Sequence, residues 1–256
     1  MKLQDLVLCM KISQQKWIEK LQNGEAWFGA INEYIKKAEE SGNNEQGDKY
    51  EGVFARCRKD SAIIVKYQHI FGEDLEIIDD GEYCFLRRKS SRLMLAFCMY
   101  GIKKTDLELF GEIDCKDDVK TCNFKYYFEP KMYDSFLQDG SSSSEVAGFY
   151  CSAGHIINAI RESLEIANYK WNLKMINYDI DLTEEFFINP LHDYPELWHK
   201  RKDLSYQHEF RFIVYNSKPN LKGSTINYTP LSTASANFAL GQLYIQGVAE
   251  VKEKDS

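Results

Sequence analysis

Tyr206-Gln207-His208-Glu209-Phe210-Arg211-Phe212-Ile213-Val214 alternates polar and apolar side chains with a period of two, the pattern of a β-strand. That period puts Gln207, Glu209, Arg211 and Ile213 on one face and His208, Phe210, Phe212 and Val214 on the other. The phenylalanine face is expected to meet the core. Glu209 and Arg211 then project together from the opposite, partly solvated face, close enough to pair. The basic residues Lys200, Arg201 and Lys202 lie just upstream.

A strand needs partners, and the rest of the chain offers many. Leu6 to Ile12 reads as an opening strand, and Ser13 as the N-cap of a helix through Trp17, Ile18 and Leu21 that stops at Asn23-Gly24. Ala26-Trp27-Phe28 is a short strand before a helix from about Ile31 to Glu40, closed by Ser41-Gly42, and Asn43 to Lys49 is a polar loop. Ser61-Ala62-Ile63-Ile64-Val65-Lys66-Tyr67 and Leu93 to Tyr100 are near-continuous apolar runs that suit central strands. Glu82 to Leu86, Leu107 to Ile113 and Phe124 to Phe128 are further strand candidates. Gly140-Ser141-Ser142-Ser143-Ser144 reads as a flexible loop. Gly154 to Tyr169 carries helical spacing through Ile156, Ile160 and Leu164, and Leu173 to Tyr178, Thr225 to Tyr228 and Leu243 to Gln246 complete the strands. Strands and helices in this irregular order predict an α+β fold in one domain over residues 1–256.

Composition narrows the function classes. The net charge of −7 excludes a general basic coat for duplex DNA or anionic membrane, leaving only local clusters such as Arg87-Arg88-Lys89 and His199-Lys200-Arg201-Lys202. An aromatic share of 14% favours strands and a thick core and also suits stacking on a flat ligand. The cysteines Cys9, Cys57, Cys84, Cys98, Cys115, Cys122 and Cys151 are scattered, which fits neither a disulfide framework nor a zinc site. Cys84, Cys98 and Cys151 sit in apolar runs and are expected to be buried free thiols. With no basic-then-apolar leader and no apolar run of membrane length, the expectation is a cytoplasmic protein without a membrane partner.

Two segments could carry chemistry. A carboxylate fixed on a rigid strand beside a cation stays ionised and well placed, which makes Glu209 the leading catalytic candidate. A salt bridge at a solvated sheet surface is the commoner use of the same residues. The second segment, Gly47-Asp48-Lys49-Tyr50-Glu51-Gly52, brackets two acids with glycines and could bring backbone amides near a phosphate or place two carboxylates near a metal or a ribose hydroxyl. A plain turn with solvated acids is the alternative there. The five histidines lack the spacing of helical metal sites, so no metal centre is expected.

The order of these motifs carries a resemblance. A Trp27-Phe28-Gly29 strand, a Tyr34-bearing helix, Gly47-Asp48-x-x-Glu51-Gly52, Phe97-Cys98-Met99-Tyr100 and the late Tyr206-Gln207-His208-Glu209-Phe210-Arg211 occur in sequence. The pattern resembles a family of bacterial and phage domains of unknown function whose late strand reads tyrosine, then Glu-x-Arg. That family looks like the ADP-ribosyltransferase fold, including the RNA-modifying toxin of a chaperone-controlled toxin–antitoxin system of phage defence. The resemblance implies a mixed, twisted, split β-sheet with flanking helices, NAD as the consumed substrate and Glu209 as the catalytic residue. It further implies that Tyr34, Asp48, Glu51, Arg56 and Arg211 border NAD, with Tyr34 stacking on nicotinamide and Arg56 or Arg211 holding the pyrophosphate. Gln207 stands where arginine-directed transferases carry glutamate, which favours RNA or another nucleic acid as acceptor. An antitoxin and a chaperone are the implied partners. A non-catalytic binding or assembly module and a magnesium-dependent nuclease built on Asp48, Glu51 and Glu209 are the other readings.

Overall fold

The computed structural model describes residues 3–41, 47–116, 119–129, 131, 146–215, 222–231, 235–239 and 244–252. In chain order the elements begin β1 (Leu6–Gln14), α1 (Gln15–Gln22), β2 (Glu25–Ala30), α2 (Ile31–Ser41), β3 (Val53–Arg58), α3 (Ala62–Phe71), β4 (Leu75–Asp80) and β5 (Tyr83–Arg88). They continue with β6 (Leu95–Lys103), β7 (Glu108–Lys116), β8 (Val119–Tyr127), β9 (Val146–Ser152), α4 (Ala153–Ile166), β10 (Trp171–Met175), β11 (Asn177–Ile180) and β12 (Phe186–Phe187). The last are β13 (His199–Arg201), β14 (Glu209–Val214), β15 (Ser224–Asn227), β16 (Ser235–Ala239) and β17 (Tyr244–Lys252). This is a strand-dominated mixture of helices and several sheets, in line with the α+β expectation. The mid-chain serine loop falls outside the described residues.

Eight strands form the main sheet, in the order β10-β14-β6-β1-β9-β16, with β2 joined to β6 and β15 to β2. All of its pairings are antiparallel. The expected mixed sheet is therefore corrected, since among the described residues the parallel pairing is confined to the separate β11–β13 ribbon. Parallel neighbours need a crossover, usually a helix. Here α1 leads from β1 to β2 and α4 from β9 to β10, and neither pair is adjacent. Two antiparallel sheets, β12-β3-β5-β4 and β17-β8-β7, complete the framework.

The main sheet opens beside β6. On one edge β6 pairs with β14 from Leu95 to Tyr100. On the other it meets β2 at Leu95 and Ala96, and β1 from Tyr100 onward. Among the described residues, 97–99 have no strand partner on that edge, so β1 and β2 diverge around a gap.

β14 is covered on both faces, which corrects the expectation of a solvated Glu209 face. Phe210, Phe212 and Val214 join Phe28, Phe97 and Ile160 in the largest core cluster. Ile213, on the Glu209 face, packs with Ile31, Ile35, Leu197 and Trp198. All six residues of β14 are buried. The strand also starts later than the alternation suggested, because Gln207 closes a 3-10 turn and His208 takes left-handed φ of 41°.

Three further readings change. Ser61 to Tyr67 is not a strand: Ser61 caps α3, its side chain accepting from the Ile63 amide at 3.3 Å. Tyr67 and Phe71, one helical turn apart, stack together and both meet Phe54 of β3 edge-on, while Val65 faces solvent. Ser13 belongs to β1, and the residue before α1 is Gln14, with no side-chain cap. Leu173 to Tyr178 divides into β10 and β11, with Ile176 between them bonded to the Glu209 carbonyl at 2.9 Å. No helix among the described residues is long and apolar enough to cross a membrane.

Cys9 and Cys151 face each other across β1 and β9 with their sulfurs 3.3 Å apart, and Cys57 and Cys84 across β3 and β5 at 4.0 Å. All four thiols are free and buried. Native protein is expected to leave these four unlabelled by a thiol reagent over the time in which the denatured chain reacts fully. Rapid native labelling at any of them, located by peptide mass, would contradict the packing described.

Candidate functional site

A cavity of about 400 Å³ occupies the opening between β1 and β2, within the roughly 300–1,000 Å³ range of small-molecule sites. Glu209, Arg211, Tyr34, Asp48 and Glu51 all line it. Arg56 does not. It lies on β3, where its guanidinium sits 3.9 Å from the Tyr83 ring centroid and bonds Asp80 at 3.3 Å. Its place in the small sheet takes it out of the set expected to border NAD.

The local sequence explains the convergence. Tyr34 leans from α2 toward β2 and donates to the Ala96 carbonyl at 3.2 Å. Gly29 makes room for it, since a β-carbon there would lie 3.0 Å from the Tyr34 hydroxyl. Gly47 lies on the backbone of α2, where any β-carbon would overlap the Tyr34 carbonyl oxygen. This contact sets the loop that follows. Asp48 closes its turn by accepting from the Tyr50 amide at 2.9 Å, and Arg201 approaches its other oxygen at 3.4 Å. The expectation of solvated acids is thus corrected, because Asp48 and Glu51 are each only 3% exposed. Arginine partners make that burial tolerable: Arg201 for Asp48, Arg211 for Glu51.

Glu209 is the hub. Its Oε1 accepts from Arg211 Nε at 2.8 Å and its Oε2 from Lys200 Nζ at 2.6 Å. Arg211 Nη1 reaches on to Glu51 and to the Leu197 carbonyl, the latter at 2.9 Å. Lys200 also bonds Gln207 at 3.3 Å, and the Tyr178 hydroxyl accepts from the Glu209 amide at 2.9 Å. Burial alone would push the Glu209 carboxyl up, but Arg211 and Lys200, helped by the Cys98 thiol, hold it well below the usual carboxylate range. Each carboxylate oxygen thus has a cationic donor, and the group still lines the cavity.

Other groups shift in ways that follow from the same burial. Cys98, which lines the cavity and packs against the core beside it, has its thiol pushed up to about 12 by burial and then by Glu209, so it stays protonated and inert. Burial and the nearby Glu51 raise Asp48, with Arg201 opposing them. Burial lowers Lys11, whose ammonium sits in the sheet opening and donates to the Cys98 carbonyl at 2.6 Å. That carbonyl would bond a neighbouring strand if the sheet were continuous.

The depressed Glu209 has a pH consequence. Its folded pKa lies below its unfolded value of about 4.3, so its contribution to stability is in place above that pH and is lost as pH falls through the folded value. The melting temperature is expected to be insensitive to this group from pH 8 to 5 and to drop below about pH 4.3. The drop should be shallower in Glu209→Gln, and equal slopes in the two proteins would show that Glu209 is not held ionised.

Among the described residues no three His, Cys, Asp or Glu side chains come together to hold a metal. Asp48, Glu51 and Glu209, the acids of the nuclease reading, all line the cavity, and Arg211 bridges the last two. Lys200 and Lys11 are the site residues that residue patterns did not single out. Lys200 was one of three adjacent cations, and register alone chose it. Lys11 had a usable signal, being the one charge inside the apolar run Leu6 to Ile12. No protein-family model, curated protein or solved structure matches the chain, so the reading of the site rests on its own chemistry.

Proposed function

We propose that this chain is an NAD-dependent ADP-ribosyltransferase with Glu209 as its catalytic carboxylate and a nucleic acid, RNA, as acceptor. The observation that carries the reading is a buried carboxylate on a central strand, held by Arg211 and Lys200, that lines a cavity of about 400 Å³. Breaking the bond between nicotinamide and ribose sends its electron pair to nicotinamide and leaves positive charge on the ribose. Glu209 complements that charge and accepts the ribose 2′-hydroxyl. Lys200 and Arg211 keep its charge and position fixed, so little reorganisation accompanies the reaction. Because Glu209, Glu51 and Leu197 already hold Arg211, we assign it to positioning Glu209 and not to the pyrophosphate. Tyr34 offers a ring beside the reacting centre, and Asp48 and Glu51 border it. Gln207 lines the cavity and stands where the resemblance puts a second carboxylate in arginine-directed transferases, which supports a nucleic-acid acceptor. A toxin role, with an antitoxin and a chaperone as partners, rests on the resemblance alone.

A second reading, a non-catalytic binding or assembly module, is favoured by the three donors that already engage Glu209. Ligand-induced stabilisation separates the two. If the cavity binds NAD, a concentration of 100 Kd raises stability by about 2.7 kcal/mol and the melting temperature with it. Melting curves that do not move with millimolar NAD would favour the binding module.

A further inference from the structure

The cavity has an aromatic rim that the transferase chemistry does not use. Trp17 and Trp27 line its mouth and are 41% and 42% exposed. Two large indoles left this open, side by side, need an occupant or a reason. Their ring centroids are 6.4 Å apart with planes tilted by 33°, so they form a shallow platform. Trp27 is held in place from behind, because the Gly223 backbone lies so close that a β-carbon there would overlap the indole and the Phe28 carbonyl. An indole left 42% exposed, as Trp27 is, is suited to stacking on a planar ring. The ammonium groups of Lys16 and Lys20 each lie over the Trp17 ring, 5.5 Å from its centroid, and bring positive charge onto the indole pair itself.

A second observation lies deeper in the same cavity. Lys11 is partly buried, donates to the Cys98 carbonyl and sits 5.4 Å from the Phe97 ring centroid. Among the described residues it forms no ion pair, whereas Lys200 and Arg211 across the cavity are matched by Glu209 and Glu51. Glu209 acts on Lys11 only from beyond contact distance, and a desolvated ammonium with no carboxylate in contact is stabilised further by a ligand anion. Lys11 precedes Trp17 by one strand end and the first turn of α1, so both line one side of the cavity.

We infer that the mouth of the cavity is a subsite for a nucleoside monophosphate unit, its base stacked on Trp17 and Trp27 and its phosphate on Lys11. Base stacking on aromatic side chains tolerates any base, and the lysine supplies the preference for phosphate. Such a unit occurs both in the adenosine half of a dinucleotide and in a single-stranded nucleic acid. The inference rests on the geometry of the rim and does not require transfer activity.

Equilibrium dialysis of the full chain against labelled AMP and labelled adenosine tests it. AMP should bind more tightly than adenosine, and Trp17→Ala or Trp27→Ala should each weaken AMP about tenfold or more. Gly223→Ala, which displaces the Trp27 indole, should weaken it too. Lys11→Met should remove most of the advantage of AMP over adenosine, about tenfold. Displacement of AMP by NAD assigns the subsite to the dinucleotide; displacement by a short oligoribonucleotide while NAD remains bound assigns it to the acceptor strand. AMP that does not bind, or binds equally well to both tryptophan variants with unchanged melting temperatures, would overturn the subsite. AMP binding without transfer from NAD would sink the transferase reading and leave the subsite standing. Transfer without AMP binding would do the reverse.

Discussion

Arg211→Met is expected to cost about 3–5 kcal/mol of stability, the usual consequence of removing one partner from a buried ion pair. Arg211 is 2% exposed and serves two carboxylates and a backbone carbonyl at once. Methionine fills much of the volume but leaves Glu51 and Glu209 facing each other inside the protein. Lys200 still neutralises one of them, which is why the loss should stay within that range. Native domains have only about 5–15 kcal/mol in hand, so the variant is expected to be folded but fragile. At 2–4 °C per kcal/mol for a chain of this size, the melting temperature should fall by roughly 6–20 °C. Adding Glu51→Gln to Arg211→Met should recover part of the loss, because Glu51 is the carboxylate whose ion-pair partner is removed. A loss within about 1 kcal/mol, measured by urea denaturation, would mean that water reaches the network and that it is an ordinary surface pair.

Glu209→Gln is expected to lower NAD-dependent transfer by about 100-fold or more, equivalent to about 2.7 kcal/mol of barrier. Glutamine keeps the shape and one acceptor oxygen but not the charge that complements the cationic ribose. The surface-pair picture predicted no more than about 1 kcal/mol of lost stability. The buried network predicts more, because Lys200 and Arg211 both lose a countercharge and the amide nitrogen faces one of the two donors. Rates therefore need normalising to folded protein, with the folded fraction taken from the melting curve. Transfer per folded molecule that matches the parent would remove Glu209 from the chemistry and leave it as the hub of a structural network. For the same reason Glu51→Ala is expected to destabilise by more than 1 kcal/mol, where a solvated turn acid would not.

Much of this arrangement was legible in the residues. Period-two alternation placed Glu209 and Arg211 on one face of one strand, and register then set Cys98 opposite Arg211 on β6. The helices α1, α2 and α4 announced themselves through apolar spacing and their Asn23-Gly24 and Ser41 ends. What the alternation did not contain was the second layer over the Glu209 face. Leu197 and Trp198 come from a turn-rich stretch whose course no local pattern specifies. Burial of Asp48 and Glu51 was hidden for the same reason, since it depends on Arg201 and Arg211 more than a hundred residues away. The Ser61 to Tyr67 run misled because a continuous apolar stretch satisfies both periods. Its serine cap and the recurrence of aromatics at Tyr67 and Phe71 were the signals that favoured a helix. The opening between β1 and β2 is a property of three strands together, which no local pattern specifies.

The claim that this cavity transfers ADP-ribose is tested most directly by incubating the protein with NAD labelled in its adenosine half, together with cell extract and purified RNA. The account predicts label covalently attached to RNA, release of nicotinamide in equal amount, and loss of both in Glu209→Gln per folded molecule. Label on protein or DNA would correct the acceptor and keep the transferase. No label on any polymer and no nicotinamide released, from protein shown to be folded by its melting curve, would contradict the account.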